Sequence, residues 1–260
     1  MTAMKEWICI FSDAGRAALH AFIDRTTLFT FDLDGTLAPI VADPAGIMIP
    51  VNVREKLVRL CRLADVAVLT GRARDNARAH LGFEPRFIVG NHGAEGLPGW
   101  EEREREFVSL CRQWENQLRA LLPHASASGM VIENKGRSLT VHYRSAPAPE
   151  AALAKIRRAV RLLTPLPRQT SGKFVVNIVP PGSLDKGEAL LQLMNHAGAR
   201  LAVFIGDDVT DEDVFRLHHE RILGIRVGNH SPSAAAYCLS DQNQMDRLLD
   251  RIIHTLEGGA

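Results

Sequence analysis

The sequence predicts an α/β fold in which a parallel sheet is interrupted by an inserted α+β segment, and three observations carry the prediction. Short apolar runs at 27–31, 66–69 and 201–205 have the length and side-chain types of buried strands, and stretches with helical spacing separate them. The first and last of these runs end abruptly in acids beside a glycine, Asp32-Leu-Asp-Gly35 and Gly206-Asp-Asp208. From Trp100 to about 181 the alternation gives way to helix, hairpin, helix and strand, an α+β pattern.

Length and composition fit this. At 260 residues the chain exceeds a single typical domain, and 46% apolar residues are enough to fill one large core or two modest ones. Thirty-one basic and thirty acidic residues leave a net charge of +1, so neither a nucleic-acid partner nor a charged tail is expected. A small-molecule partner and a monomer are expected. Four cysteines at 9, 61, 111 and 238 contain no Cys-x-x-Cys pair, which predicts reduced cytosolic thiols, each buried and structural. The run Trp7–Phe11 is too short and too close to charge for a secretory segment or a membrane span, so the chain reads as cytoplasmic and mature.

In chain order, residues 4 to 24 read as helix, with Trp7, Ile10, Phe11, Ala18 and Phe22 on one face. The strand at 27–31 follows, then a loop marked by Pro39, Asp43, Pro44 and Gly46, and a helix with Val53, Leu57, Leu60 and Cys61 as its stripe. Val66–Leu69 is the second strand, a helix starts near Arg74, and Phe87–Val89 is a third strand closed by the glycine-rich turn around His92. The insert opens with an amphipathic helix over 101–122. Strands at 130–133 and 139–143 form a hairpin, a helix runs over 149–163, and 174–179 is one more strand before Pro180-Pro-Gly182. The remainder reads as a helix with Ala189, Leu190, Leu193 and Met194 inward, the strand at 201–205, a helix through Phe215 and Leu217, and a short strand at 225–227. A loop at 228–232, a brief helix and a last helix bearing Met245 to Leu256 close the chain.

Chemistry collects at the strand ends. Side chains alternate along a strand, so Asp32 and Asp34 project together at the carboxyl edge, where open α/β sheets hold their ligands. Two carboxylates so close repel unless a hard divalent cation such as Mg²⁺ sits between them, and a carboxylate so placed is a nucleophile for a phosphoryl group. A polar turn after a strand explains the Asp-x-Asp-Gly pattern equally well taken alone. Thr70-Gly71-Arg72 offers a hydroxyl, a closely approachable backbone N–H and a helix start, a small anion cradle. Lys186 opens a helix, an unfavourable place for an ammonium unless an anion such as phosphate is beside it. Asp207 and Asp208 read as metal ligands at a strand end, whereas capping accounts for Asp211 and Glu212. Within the insert, Glu133, Lys135, His142, Arg144 and Asn177 suit a hydroxyl-rich ligand, a pattern that a solvated sheet face also presents.

Taken in order, Asp32-Leu-Asp-Gly-Thr36, Thr70, Lys186 and Gly206-Asp-Asp-x-x-Asp211 resemble the four motifs of the haloacid dehalogenase superfamily. The resemblance implies a Rossmann-like parallel-sheet core, residues 1–99 and 182–260, around an α+β cap of the C2 type at 100–181. It implies Mg²⁺ held by Asp32, Asp207 and the Asp34 carbonyl, with Asp208 and Asp211 supporting that shell. It further implies an aspartyl-phosphate on Asp32, Asp34 as acid and base, and Thr70 and Lys186 on the phosphate. Phe31 to Ile40, Gly71-Arg72, His92-Gly-Ala-Glu95, Val131-Ile-Glu-Asn-Lys135 with His142-Tyr-Arg144, Asp185-Lys-Gly187 and Gly206 to Glu212 narrow the likeness to trehalose-6-phosphate phosphatases. That narrower likeness implies sugar binding by Glu133 and Lys135, within a substrate set that includes Gly71, Arg72, His92, Arg144 and Asn177. Thr70 stands where that family usually has Ser, and Asn177 where it usually has Glu. Hydrolysis of trehalose 6-phosphate is the expected activity. A phosphatase for another sugar phosphate, such as sucrose or glucosylglycerol phosphate, and a catalytically silent phosphosugar sensor are the alternatives.

Overall fold

The computed structural model describes residues 7–41, 43–172, 174–228 and 232–258. In chain order the elements are β1 (Ile8–Cys9), α1 (Asp13–Phe22), β2 (Leu28–Phe31), α2 (Val51–Leu60), β3 (Asp65–Leu69), α3 (Arg74–Leu81) and β4 (Phe87–Val89). Then follow α4 (Glu101–Leu121), β5 (Val131–Asn134), β6 (Leu139–His142), α5 (Pro149–Val160), β7 (Arg168–Gly172) and β8 (Val175–Val179). The chain finishes with α6 (Lys186–Ala197), β9 (Ala202–Gly206), α7 (Glu212–Phe215), β10 (Ile222–Val227), β11 (Tyr237–Leu239) and α8 (Met245–Leu256). Contacts divide it into two units, Met1–Gly93 with Asp185–Ala260, and Ala94–Leu184.

The first unit is built on a seven-stranded sheet in the order β1-β11-β10-β9-β2-β3-β4, all of whose pairings are parallel. Its central strands β2 and β9 are buried at every residue, as continuous apolar runs must be when both faces are covered. Phe29, Phe31, Val66, Val68, Val203 and Ile205 join one apolar cluster with Leu57, Leu60 and the inward face of α8. Residues of the opposite parity, such as Thr30 and Phe204, are in register across the other face, where Phe204 meets Phe215 of α7 edge to face at 5.8 Å and α6 contacts β2 and β3. Each fully buried Leu, Ile or Phe here contributes about 1.5–3 kcal/mol.

The second unit is a four-stranded antiparallel sheet, β5-β6-β8-β7, backed by α4 and α5. Leu139, Val141, Val176 and Ile178 face the two helices and pack with Trp114, Leu118, Ile156 and Val160. Trp114 is fully buried, and its indole N–H donates to the Pro165 carbonyl at 2.8 Å.

Four expectations are corrected. Trp7 to Phe11 is not helix: Ile8 and Cys9 pair with β11, and α1 starts only at Asp13, where the Ser12 hydroxyl accepts from Gly15 N at 3.1 Å. Residues 4–6 of that expected helix, and residues 229–231 of the expected loop, lie outside the described residues. Past Pro232 the chain forms β11, a short strand held between β1 and β10, and a single 3-10 turn before α8, in place of a brief helix. The insert gains β7, whose Arg-Gln-Thr-Ser-Gly sequence carries no apolar signal and is held by the ladder to β8. Of the thiols only Cys111 is buried; Cys61 and Cys238 are half-buried and Cys9 is exposed.

Candidate active site

Parallel pairing of β2 with both β3 and β9 brings three strand ends side by side, with Phe31 opposite Val68 and Ile205. Asp32, Thr70 and Asp207 are the residues directly after those strands, so topology alone gathers them. Asp32 N donates to the Ile205 carbonyl at 2.9 Å, which continues the ladder one residue past β2. Alternation turns Asp32 to the α6 side of the sheet, and Lys186, the first residue of α6, meets it there.

Lys186 Nζ lies 2.7 Å from Asp32 Oδ1 and 2.6 Å from Asp211 Oδ1, and all three side chains are withdrawn from solvent. At a helix start the ammonium needs an anion such as phosphate beside it, and the protein itself supplies two carboxylates. Asp185 and Glu188 cap the same helix reciprocally, which fixes where Lys186 emerges. Burial alone would lower the Lys186 pKa, but Asp211 and Asp32 outweigh it and hold the group charged.

Carboxylate oxygens of Asp32, Asp207 and Asp211 all lie within 4.8 Å of one another. Burial pushes the Asp32 carboxyl well above its usual range, with Asp211 and Asp207 adding to the rise and Lys186 opposing it. Burial, then the charges of Asp211 and Asp208, push Asp207 up to about 7. An all-oxygen acidic set of this kind suits a hard divalent cation, which relieves the repulsion and keeps the acids ionised. Glycine at 35 is required by the same cluster, since its φ is +86° and a Cβ there would sit 2.1 Å from Asp207 Oδ2. Thr36, unassigned in the sequence reading although it belongs to the Asp-x-Asp-Gly-Thr run, is fully buried and donates to Asp207 Oδ1 at 3.2 Å.

A divalent cation at the 207 carboxyl would make metal binding and pH interdependent. The unfolded chain loses this proton near pH 4 and the metal-free folded chain keeps it to about 7, so stability falls as pH rises through that window and is flat above it. The ceiling on that loss is about 4 kcal/mol. Urea midpoints in chelator are therefore expected to be lower at pH 8 than at pH 5, and added divalent cation to raise the midpoint more at pH 8. Asp207→Asn should flatten both dependences, and an unchanged profile in that variant would remove Asp207 as their source.

The other predicted residues take definite places. Asp34 is forked by Arg72, Nε to Oδ2 at 2.7 Å and Nη2 to Oδ1 at 2.6 Å, and Arg72 also donates to Asn76 at 2.9 Å. The Thr70 hydroxyl accepts from Arg72 N at 3.2 Å. His92 sits in a left-handed turn, and its imidazole packs so closely on Gly71 that a Cβ at 71 would lie 2.3 Å from Cε1. Asp208 N donates to Asp211 Oδ2 at 2.8 Å, so Asp211 braces the acidic loop as well as Lys186. Glu212 does more than favour a helix start. It is buried, accepts from Arg226 at 2.9 Å and from Ala234 N at 2.9 Å, and so ties the acidic loop to β10.

In the second unit, register places Glu133, Thr140, Asn177 and Thr170 in one row on the sheet face opposite the helices. Asn177 is nearly buried, and its Oδ1 accepts from the Thr140 hydroxyl at 2.8 Å. His142 lies diagonally against Glu133 at 2.7 Å. Lys135 is in the β5–β6 turn, and Arg144, exposed, lies past the other end of β6, so these two are not neighbours.

A parallel sheet with acids and a lysine gathered where β2, β3 and β9 end, and an antiparallel α+β unit inserted after β4, is a haloacid dehalogenase-like architecture, and the chain's family match makes it a phosphoric monoester hydrolase of that superfamily. Residues 30–243 match the family model described as trehalose-phosphatase, and the chain belongs to that family. It is 35% identical over 192 residues to the trehalose-6-phosphate phosphatase of Escherichia coli K12, covering 71% of each chain. Over 257 residues it is 30% identical to trehalose-phosphate phosphatase B of Arabidopsis thaliana, covering 90% of this chain and 68% of that relative. A crystal structure of a trehalose-6-phosphate phosphatase related protein shares the fold with a TM-score of 0.74 at 22% identity, over 90% of this chain and all of that one. Among the described residues no helix is long and apolar enough to cross a membrane.

Proposed function

We propose that this chain hydrolyses trehalose 6-phosphate to trehalose and inorganic phosphate, with Mg²⁺ as its ion and an aspartyl-phosphate on Asp32 as intermediate. The observation that carries the reading is the cluster of half-buried Asp207 with buried Asp32, Asp211 and Lys186 where β2 and β9 end, in a chain of the trehalose-phosphatase family. Asp32 and Asp207, with the Asp34 carbonyl, would hold the ion, which neutralises phosphate charge when bound. In the first step an Asp32 oxygen attacks phosphorus in line, the bond to the sugar oxygen breaks, and Asp34 gives that oxygen its proton. In the second, Asp34 takes a proton from water, whose oxygen attacks phosphorus and returns the Asp32 carboxylate. Lys186, the Thr70 hydroxyl and the Gly71 amide steady the transferring oxygens, and their fixed positions spare reorganisation as charge develops. Asp208 and Asp211 brace the loop. Arg72 and His92 serve the phosphate end, while Glu133, Lys135, Arg144 and Asn177 serve the sugar. A small phosphosugar partner, a monomer and a cytoplasmic setting complete the reading.

One observation favours a second reading of the substrate. With its carbonyl oxygen taken by Thr140, Asn177 has amide donors and no charge to offer a sugar, which fits a phosphatase for a different phosphosugar. Phosphate release from trehalose 6-phosphate, sucrose 6-phosphate and glucosylglycerol phosphate at one Mg²⁺ concentration separates the two. Equal turnover of all three would defeat the trehalose assignment, and release from none would turn the reading to a silent sensor. In the same assay Lys135→Ala is expected to lower kcat/KM for trehalose 6-phosphate about 10-fold or more, and to leave a small aryl phosphate unchanged. Equal losses on both would deny Lys135 a role in sugar recognition.

A further inference from the structure

We infer that Cys9 and Cys238 form a peroxide-responsive dithiol pair that closes to a disulfide within one chain. At the edge of the seven-stranded sheet Cys9 lies directly across from Cys238 in the parallel β1–β11 ladder. Hydrogen bonds on either side lock that register: Ile8 N donates to the Ala236 carbonyl at 3.1 Å and Ile10 N to the Cys238 carbonyl at 2.9 Å. Strands so paired run about 4.8 Å apart with laterally opposed Cβ atoms on one face. That spacing lies in the Cα range of about 4.4–6.8 Å that disulfides span. The backbone at Cys9 is also fixed from α1. Its carbonyl accepts from Ser12 N at 3.0 Å and from the Ser12 hydroxyl at 2.7 Å, and Gly15 packs on it so tightly that a Cβ there would lie 2.3 Å from the same oxygen.

The two thiols are unequal in a way that assigns their roles. Cys9 is exposed and meets oxidant first; Cys238 is half-buried, and burial and then the neighbouring Cys9 raise its pKa, so it acts second. Neither remaining cysteine competes, because burial pushes Cys61 up to about 11 and Cys111 up to about 12, and Cys111 belongs to the other unit. Cys9 as thiolate attacks the O–O bond of hydrogen peroxide. One oxygen stays on sulfur as sulfenic acid and the other leaves as hydroxide, which takes up the proton Cys9 released, so that sulfur is oxidised by two electrons and peroxide reduced by two. The Cys238 sulfur then attacks the Cys9 sulfur, the S–S bond forms, the S–O bond breaks, and the departing hydroxide leaves as water with the Cys238 proton. A dithiol reductant reverses the closure by exchange. The next residue on the same rung is Arg226, which holds Glu212 beside the acidic loop, so the switch sits one ion pair from the active site.

The test uses the full chain treated with hydrogen peroxide, denatured, and titrated for thiols. The count is expected to fall from the four that the sequence contains to two, and to return to four with dithiothreitol. Tryptic digestion without reductant should yield peptide 6–16 joined to peptide 227–247, and non-reducing gels should show a single-chain band. Cys9→Ser should keep its three thiols under the same treatment. Four thiols persisting in the wild type, sulfenic or sulfinic acid on Cys9 without the joined peptides, a link between two chains, or loss of two thiols from Cys9→Ser would each overturn the pair.

Discussion

Asp32→Asn is expected to lower kcat by about 10⁴-fold or more while leaving the fold intact. The amide matches the carboxylate in shape, so the hydrogen bond of residue 32 N to the Ile205 carbonyl and the packing at the end of β2 are kept. Lys186 loses one anion but retains Asp211 at 2.6 Å, so no unpaired buried charge results. Burial already disfavours the ionised form of Asp32, and Asp211 and Asp207 add repulsion, so a neutral side chain there lowers the strain of the metal-free cluster. Turnover and stability should therefore part company: phosphate release falls to background, while the urea midpoint in chelator equals or exceeds that of the wild type. An acid-stable phosphoryl adduct trapped from wild type should be missing from the variant. Comparable turnover in the variant would remove Asp32 as the nucleophile, and a collapsed midpoint would mean that its charge is a structural need.

The parts of this molecule readable from sequence are those where local pattern and burial agree. β2, β3 and β9 are largely apolar runs because the sheet is covered on both faces, and each ends abruptly in a polar residue, Asp32, Thr70 or Asp207, which marks the strand end in the sequence. The strands that escaped, β1, β11 and β7, are short or polar and lie at or next to a sheet edge. β1 has two residues, and its ladder partner β11 lies more than 220 positions away, which no local window contains; β11 has three residues, and β7 is Arg-Gln-Thr-Ser-Gly, a hairpin arm beside β8 with no apolar residue to mark it. Within the site, Thr36 and Glu212 lay inside recognised runs but their roles depend on partners at 207 and 226. Lys186 was singled out for its place at a helix start, yet which anions answer it follows from strand order. Asn177 likewise stands out in sequence as an amide, and only its bond to Thr140 shows which of its atoms are engaged.

Lys186→Met should be the most destabilising single change among the site residues. Its ammonium is 1% exposed and lies between two carboxylates that are themselves buried, so removal leaves Asp32 and Asp211 facing each other without compensation. Breaking one partner from such a group costs about 3–5 kcal/mol, whereas replacing the whole group is often neutral. For a chain of this size that corresponds to a fall of Tm by about 10 °C or more. Turnover should vanish too, and instability alone would produce that, so the single variant does not separate structure from chemistry. The double change Lys186→Met with Asp211→Asn does. It removes the lysine and one of the acids it answered, so Tm should recover most of the loss, while phosphate release stays at background because nothing replaces the cation on the transferring group. Recovery of both would confine Lys186 to a structural role; recovery of neither would mean that Asp211 carries the loop through Asp208 N, at 2.8 Å, more than through the lysine.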